Sequence, residues 1–234
     1  MRALIIQHDH VSPPGPIGER FEHHGYELVF QQLLTKEQVA SPNVPAQFMP
    51  ADEYDVIVSM GAIFAAYDVD RIGAWLLPEL DLLREADRLG VPVLGICFGG
   101  QLLATAHGGL VRRSEHPEIG WTEIDTDEPS LVGPGPWFEW HYDRWEIPSG
   151  AREVARNEYA SQAFTLRRNL AVQFHPELTA ETLRGWLEFD GRQEAINMGH
   201  DPDELLAATV RTAAQALTRA HGLVDAFLNG PARW

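Results

Sequence analysis

The run Val91-Pro-Val-Leu-Gly-Ile-Cys97-Phe-Gly-Gly-Gln101 constrains this chain more than any other stretch. Val91 to Ile96 is apolar and partly β-branched, a pattern suited to a strand covered on both faces. Gly95, Gly99 and Gly100 bracket a turn, where close backbone approach or positive φ is open to glycine. Leu102-Leu-Ala-Thr-Ala-His107 then reads as a helix, so Cys97 falls where a strand turns sharply into that helix. Unpaired N–H groups and the positive end of the helix dipole at that point favour a thiolate.

A strand buried on both faces needs helical layers to bury it, and the flanking sequence supplies them. Met1 to Gln7, Tyr26 to Phe30 and Tyr54 to Met60 read as further strands, the last stopped at Gly61. Ile17 to His24 forms a short helix ended by Gly25. Asp70 to Gly90 carries Trp75, Leu76, Leu80, Leu83 and Ala86 at helical spacing, with Pro78 ending one helix or starting another. The alternation predicts an α/β fold with a central, mostly parallel sheet flanked by helices. A smaller antiparallel section is expected over 109–127, and short strands over 152–156 and 162–166. Thr179 offers a helix cap for a helix to about Phe189, and Asp201 to Leu228 is a long alanine-rich amphipathic stretch. The expected organisation is one domain over 1–234, its core at about 1–190 and a C-terminal helical segment at about 200–229.

A cysteine nucleophile needs a base. Leu170 to Phe174 reads as a short apolar strand that ends in His175-Pro-Glu177. Residues two apart in extended chain point to one side, so Glu177 can fix the His175 tautomer while the other ring nitrogen serves Cys97. Sites in such sheets form at the carboxyl ends of strands, and Met60, Cys97 and His175 all follow candidate strands.

Gly95-Ile-Cys97-Phe-Gly-Gly-Gln101 and His175-Pro-Glu177, in this order, resemble a class I (triad) glutamine amidotransferase, nearest to stand-alone GMP-synthase-like members. The resemblance runs through Trp140-His-Tyr-Asp143 and Gln162-Ala-Phe164 to Gln173-Phe-His-Pro-Glu177, covering roughly residues 1–190. It implies a flavodoxin-like fold, with Cys97, His175 and Glu177 as the triad. It further implies oxyanion-hole N–H groups from the loop at Gly61 and Ala62 and from Phe98. By the same resemblance, Gln101 lies near the substrate, and the loop around His141 and Tyr142 seats the amino-acid end. On residues alone, Gln101 equally fits a polar helix start. The aromatic cluster at Trp137, Phe138, Trp140, Tyr142 and Trp145 fits core or pocket wall. One departure stands out: Ala62 takes a glycine place and Ile63 the usual proline place, which sets a question of backbone strain at the hole.

Bulk properties narrow the partners. A net charge of −16 argues against nucleic acid and anionic membrane surfaces, both of which call for basic residues. The single cysteine forbids an internal disulfide and fits a reducing, cytoplasmic setting. His8, His10, His23 and His24 lack a ligand spacing and read as solvated loop and helix-end residues, so no metal or cofactor is expected. Neither a Gly-x-x-x-x-Gly-Lys-Ser/Thr loop nor a Ser-Gly-Gly pyrophosphatase run is present to activate an ammonia acceptor. The first expectation is hydrolysis of glutamine to glutamate and ammonia, with a separate synthetase subunit as a candidate acceptor. The second is hydrolysis of another γ-glutamyl amide, decided by pocket shape around Phe64, Tyr67 and 137–145. The third is a non-catalytic regulatory or binding subunit, supported by Ala62-Ile63 and opposed by the joint presence of Cys97, His175 and Glu177.

Overall fold

The computed structural model describes residues 1–233. In chain order the elements are β1 (Arg2–Gln7), α1 (Gly15–His23), β2 (Glu27–Gln32), β3 (Val56–Ser59), α2 (Val69–Leu89), β4 (Val93–Ile96) and α3 (Phe98–Ala106). They continue with β5 (Leu110–Thr122), β6 (Asp125–Thr126), β7 (Trp137–Glu146), β8 (Arg152–Arg156), β9 (Ser161–Leu166) and β10 (Asn169–Val172). The chain closes with α4 (Ala180–Trp186), a π-helical turn (Leu187–Gly191), α5 (Arg192–Asn197) and α6 (Pro202–Asn229).

Eight strands form one sheet in the order β2-β1-β3-β4-β10-β9-β8-β6. The first five run parallel, and β9, β8 and β6 extend the sheet antiparallel. A separate ribbon pairs β5 with β7. The expected α/β domain with a smaller antiparallel section is therefore what the chain forms.

Strand alternation divides the core in two. Leu4, Ile6, Ile57 and Val93 face one side and pack with Trp75, Leu76 and Leu83 of α2 and Leu102 and Leu103 of α3. Ala3, Ile5, Val58, Leu94 and Val172 face the other, against Ile17 and Phe21 of α1 and Leu223, Val224 and Phe227 of α6. Each such large side chain taken fully from water contributes about 1.5–3 kcal/mol. A third cluster under the ribbon joins Ile119 and Phe138 to Leu183, Leu187 and Leu205.

Several expectations change in detail. Pro78 neither ends nor starts a helix but lies inside the single α2, since Trp75, Leu76, Leu80 and Leu83 bury a continuous stripe across it. The segment around His141 is not a loop. It is the middle of β7, because Leu110–Thr122 provides an antiparallel partner along its length. The helix from Thr179 stops regular α geometry at Trp186, while the Thr179 hydroxyl does cap it, accepting from Thr182 N–H at 3.1 Å. The long C-terminal stretch packs on the sheet through Ala220, Leu223, Val224 and Phe227.

Candidate active site

Cys97 occupies the β4–α3 elbow with φ 50° and ψ −106°, a conformation that ordinary residues rarely hold. Such a residue costs about 1–3 kcal/mol and persists where its surroundings over-determine it. They do so here. Cys97 N–H donates to Val172 O at 2.8 Å, and Gly99 N–H donates to Met60 O at 3.1 Å. A Cβ on Gly99 would stand 2.1 Å from the Ser59 carbonyl oxygen, and one on Gly95 would stand 2.6 Å from the Gly99 carbonyl oxygen. The glycines therefore serve close approach, and the positive φ at the turn belongs to the cysteine itself.

His175 follows β10 and is fixed by two bonds. Its N–H donates to Phe138 O at 2.8 Å, and ring Nδ1 lies 2.8 Å from Glu177 Oε1. Glu177 is fully buried, and the Trp186 ring packs edge-on against the imidazole. His175 Nε2 makes no aligned hydrogen bond, which leaves it free for a reacting group. Burial alone would lower the His175 pKa, but the charges of Cys97 and Glu177 outweigh it and hold the ring well above its usual value.

Gly61 separates the two. A Cβ there would meet His175 Cε1 at 3.0 Å and lie 3.8 Å from Cys97 Cβ, so any larger residue would push against the imidazole. Ala62 and Ile63 are not among the described residues with positive φ. The backbone that they need is open to any L-residue, and the departure from glycine and proline imposes no strain. Among the described residues, nothing accepts a hydrogen bond from Ala62 N–H. The Phe98 N–H, in the first turn of α3, has no intrahelical acceptor.

One cavity of about 660 Å³ contains these groups. Gly61, Ala62, Cys97, Phe98, Gln101, His141, Tyr142 and His175 line it, with Arg71, Arg113, Trp140 and Trp186 as further walls. Gln101 is buried, with Nε2 3.4 Å from both Asp143 O and Gln173 Oε1. Tyr67 is outside the lining but braces it, donating to Asp143 Oδ1 at 3.0 Å. Tyr142 lies under the Arg113 guanidinium, 4.5 Å from ring centre, and its hydroxyl donates to Glu194 at 3.4 Å. Gln173 belongs to the run Gln173-Phe-His-Pro-Glu177 that carries the resemblance but has no role assigned from sequence, yet its Nε2 sits 3.6 Å from Cys97 Sγ. Its place two residues before His175, on the same side of an extended chain, is the signal that points it toward Cys97.

His141 has a different setting. Its Nε2 lies 3.2 Å from Glu118 Oε2 and 3.3 Å from Glu139 Oε2, all nearly or fully buried. Burial opposes its charge, but the two carboxylates prevail and its pKa is pushed up to about 10. A ring held as a cation has no lone pair to act as a base. His8 also departs from expectation. It is fully buried and paired with Glu79 at 2.9 Å, a partner on α2 that no local pattern announces. His10 and His23 remain at the surface or partly so, and His24 pairs with Asp225. No group of three or more His, Cys, Asp or Glu able to hold a metal is found among the described residues.

The family model for class I glutamine amidotransferases matches residues 53–191, more than half of the chain, a span that holds Gly61, Cys97, His175 and Glu177. The chain belongs to that family. Among relatives of the amidotransferase, the glutamine-hydrolysing GMP synthase of Aeropyrum pernix is 35% identical over 147 residues, which are 57% of this chain and 28% of that one. The chain thus spans well under half the length of the GMP synthases that it matches. Gamma-glutamyl peptidase 4 of Arabidopsis thaliana is 30% identical over 199 residues, covering 75% of each chain. Solved glutamine amidotransferases from Thermotoga maritima and Methylobacillus flagellatus superpose with TM-scores of 0.84 and 0.82. They are 26% and 28% identical, over 98% of this chain and 99% and 94% of theirs.

Proposed function

We propose that this amidotransferase hydrolyses a γ-glutamyl amide, glutamine first, through Cys97, His175 and Glu177. The observation that carries the reading is a strained cysteine and a carboxylate-braced histidine packed on either side of Gly61, beside two unengaged N–H groups. The Cys97 thiolate attacks the amide carbon, and the tetrahedral oxyanion is held by the N–H groups of Ala62 and Phe98. His175, protonated, gives its proton to the leaving ammonia. It then takes a proton from water, whose oxygen cleaves the γ-glutamyl thioester to glutamate. Gln101 and Tyr142 line the space for the amino-acid end. The likeness to glutamine-hydrolysing GMP synthases favours a synthetase as the ammonia acceptor, and the single free thiol favours a reducing compartment such as the cytoplasm.

The test is a reactive glutamine analogue, 6-diazo-5-oxo-norleucine, read by intact mass beside Cys97→Ala. An adduct on wild type alone is expected. A folded wild type that gains none counts against a glutamine pocket.

A second reading has its own support. Pockets for drug-sized ligands run about 300–1,000 Å³, so about 660 Å³ leaves room beyond a free amino acid. Arg71, Arg113 and Glu194 at the walls would meet a longer leaving group. The likeness to a gamma-glutamyl peptidase over three quarters of both chains points the same way. Comparing kcat/KM for glutamine and γ-glutamylglycine separates the two readings. No helix of the described residues is long and apolar enough to cross a membrane.

A further inference from the structure

Directly beneath the Gly61 loop lies a buried polar group that the chemistry above does not use. His8, Ser59 and Glu79 are all fully buried and come from the end of β1, the end of β3 and the middle of α2. His8 Nε2 lies 2.9 Å from Glu79 Oε2, and the Ser59 hydroxyl donates to Glu79 Oε1 at 2.7 Å. His8 Nδ1 lies 3.2 Å from the Gly61 carbonyl oxygen. The ring is pinned between Trp75 and Phe98, with centroids at 5.4 and 4.9 Å.

A carbonyl oxygen can only accept, so Nδ1 carries a proton. Glu79, served by the Ser59 hydroxyl on one oxygen, accepts from Nε2 on the other. With Glu79 ionised, both ring nitrogens donate and His8 is an imidazolium. Burial alone would push its pKa down, but Glu79 reverses this, helped by the Gly61 carbonyl and by the charge of Asp9.

The peptide bond is planar and trans, so the Gly61 carbonyl and the Ala62 N–H point in opposite directions. Whatever holds the carbonyl aims the N–H. We propose that His8, clamped by Glu79, is a positioning residue that fixes the Gly61–Ala62 peptide, keeping Ala62 N–H turned away from the core as an oxyanion donor. The cation on the carbonyl also polarises the peptide and strengthens that donor. This answers how a loop without the glycine pair and proline keeps one conformation: the constraint comes from below and not from the loop. The inference rests on the proposed amide hydrolysis for its catalytic consequence, but not for its geometry.

The test compares wild type, His8→Leu and His8→Asn, all checked for folding by thermal melting. His8→Leu, which leaves the carbonyl unheld, is expected to lower kcat roughly 10²-fold, the scale of losing one oxyanion donor. KM should stay within a factor of about two, because ground-state binding does not use the hole. Alkylation of Cys97 by iodoacetamide builds no oxyanion, and its rate should match wild type. His8→Asn places an amide N–H where Nδ1–H was, and should recover most of the lost kcat. Unchanged kcat in a folded His8→Leu, or a parallel fall in alkylation rate, overturns the proposal.

A nitrogen-15 spectrum supplies a readout that needs no substrate. Both His8 ring nitrogens should be protonated at pH 7, and the Ala62 amide resonance should move in His8→Leu but little in His8→Asn. A ring bearing one proton, or an Ala62 signal indifferent to both changes, defeats the positioning claim even if no amide is turned over. Absent turnover with these signals as expected defeats only the functional reading.

Discussion

Glu177 Oε1 stands 2.8 Å from His175 Nδ1, with the carboxylate fully buried two residues beyond the ring that it braces. The bond engages Nδ1 and leaves Nε2 without a hydrogen-bond partner, the nitrogen that the proposed chemistry uses. Glu177→Gln keeps the volume but loses the charge that supports an imidazolium. A fall in kcat of roughly 10²–10⁴-fold is expected, with little change in glutamate binding by calorimetry. A variant within a few-fold of wild type would remove Glu177 from the chemistry.

His175 is held above its usual pKa first by Cys97 and then by Glu177, against burial. Because the folded value is raised, the histidine's contribution to stability is whole below the ordinary value of 6.5 and is lost as pH rises through the folded one. Cys97→Ala removes the larger raising charge. The His175 titration followed by NMR should move to lower pH in that variant, and an unmoved titration would show that the two groups do not couple.

Gly99 meets the Ser59 carbonyl so closely that a methyl group has no place to go. Gly99→Ala must separate α3 from the end of β3, at a cost of about 3 kcal/mol or more. Urea unfolding should show the loss. Gly185→Ala, inside α4 where nothing lies near the added carbon, should unfold no more easily than wild type and gain up to about 1 kcal/mol.

His141 is shared by two buried carboxyl groups, and burial together with the charge of Glu118 pushes the Glu139 pKa up. His141→Ala would strand Glu118 and Glu139, and breaking a buried pair costs about 3–5 kcal/mol. Since its pKa is raised from 6.5 to about 10, its contribution is whole below pH 6.5, declines as pH rises between the two values and is gone above about 10. Denaturation midpoints of wild type should therefore fall across pH 7–10 and those of His141→Gln should lose that slope.

Asp225 on α6 binds Arg20 of α1 through two bonds of 2.7 and 2.6 Å, and His24 at 2.6 Å. Chiefly through Arg20, its pKa is lowered from 3.8 to about 2, so its contribution is present above 3.8 and lost as pH falls through about 2. The carboxylate is a third exposed, and screening limits the loss in Asp225→Asn to about 1 kcal/mol. Melting at pH 7 should fall by a few degrees, and the two proteins should converge near pH 2.

The strand-to-helix turn at Cys97, the His175-Pro-Glu177 strand end and the parallel alternation were all legible because each is written in adjacent residues. Hydrophobic period, glycine placement and i, i+2 geometry act over a few positions, and they hold wherever the segment ends up. The same locality explains what was misread. Pro78 looked like a break, yet the stripe buried on either side carries α2 through it. The segment at His141 looked like a loop until β5 paired with it.

His8 marks the boundary most plainly. Among loop residues it reads as a solvated histidine, and its partner Glu79 lies 71 residues further along. Sequence by itself determined the layers, the elbow and the candidate nucleophile, base and brace, since local sterics and periodicity specify them. Only the tertiary structure decided what lies beneath the Gly61 loop and which charges face His141. Those follow from packing α2 and the β5–β7 ribbon against the sheet, and the low-dielectric contacts so made depend on distance in space and not along the chain.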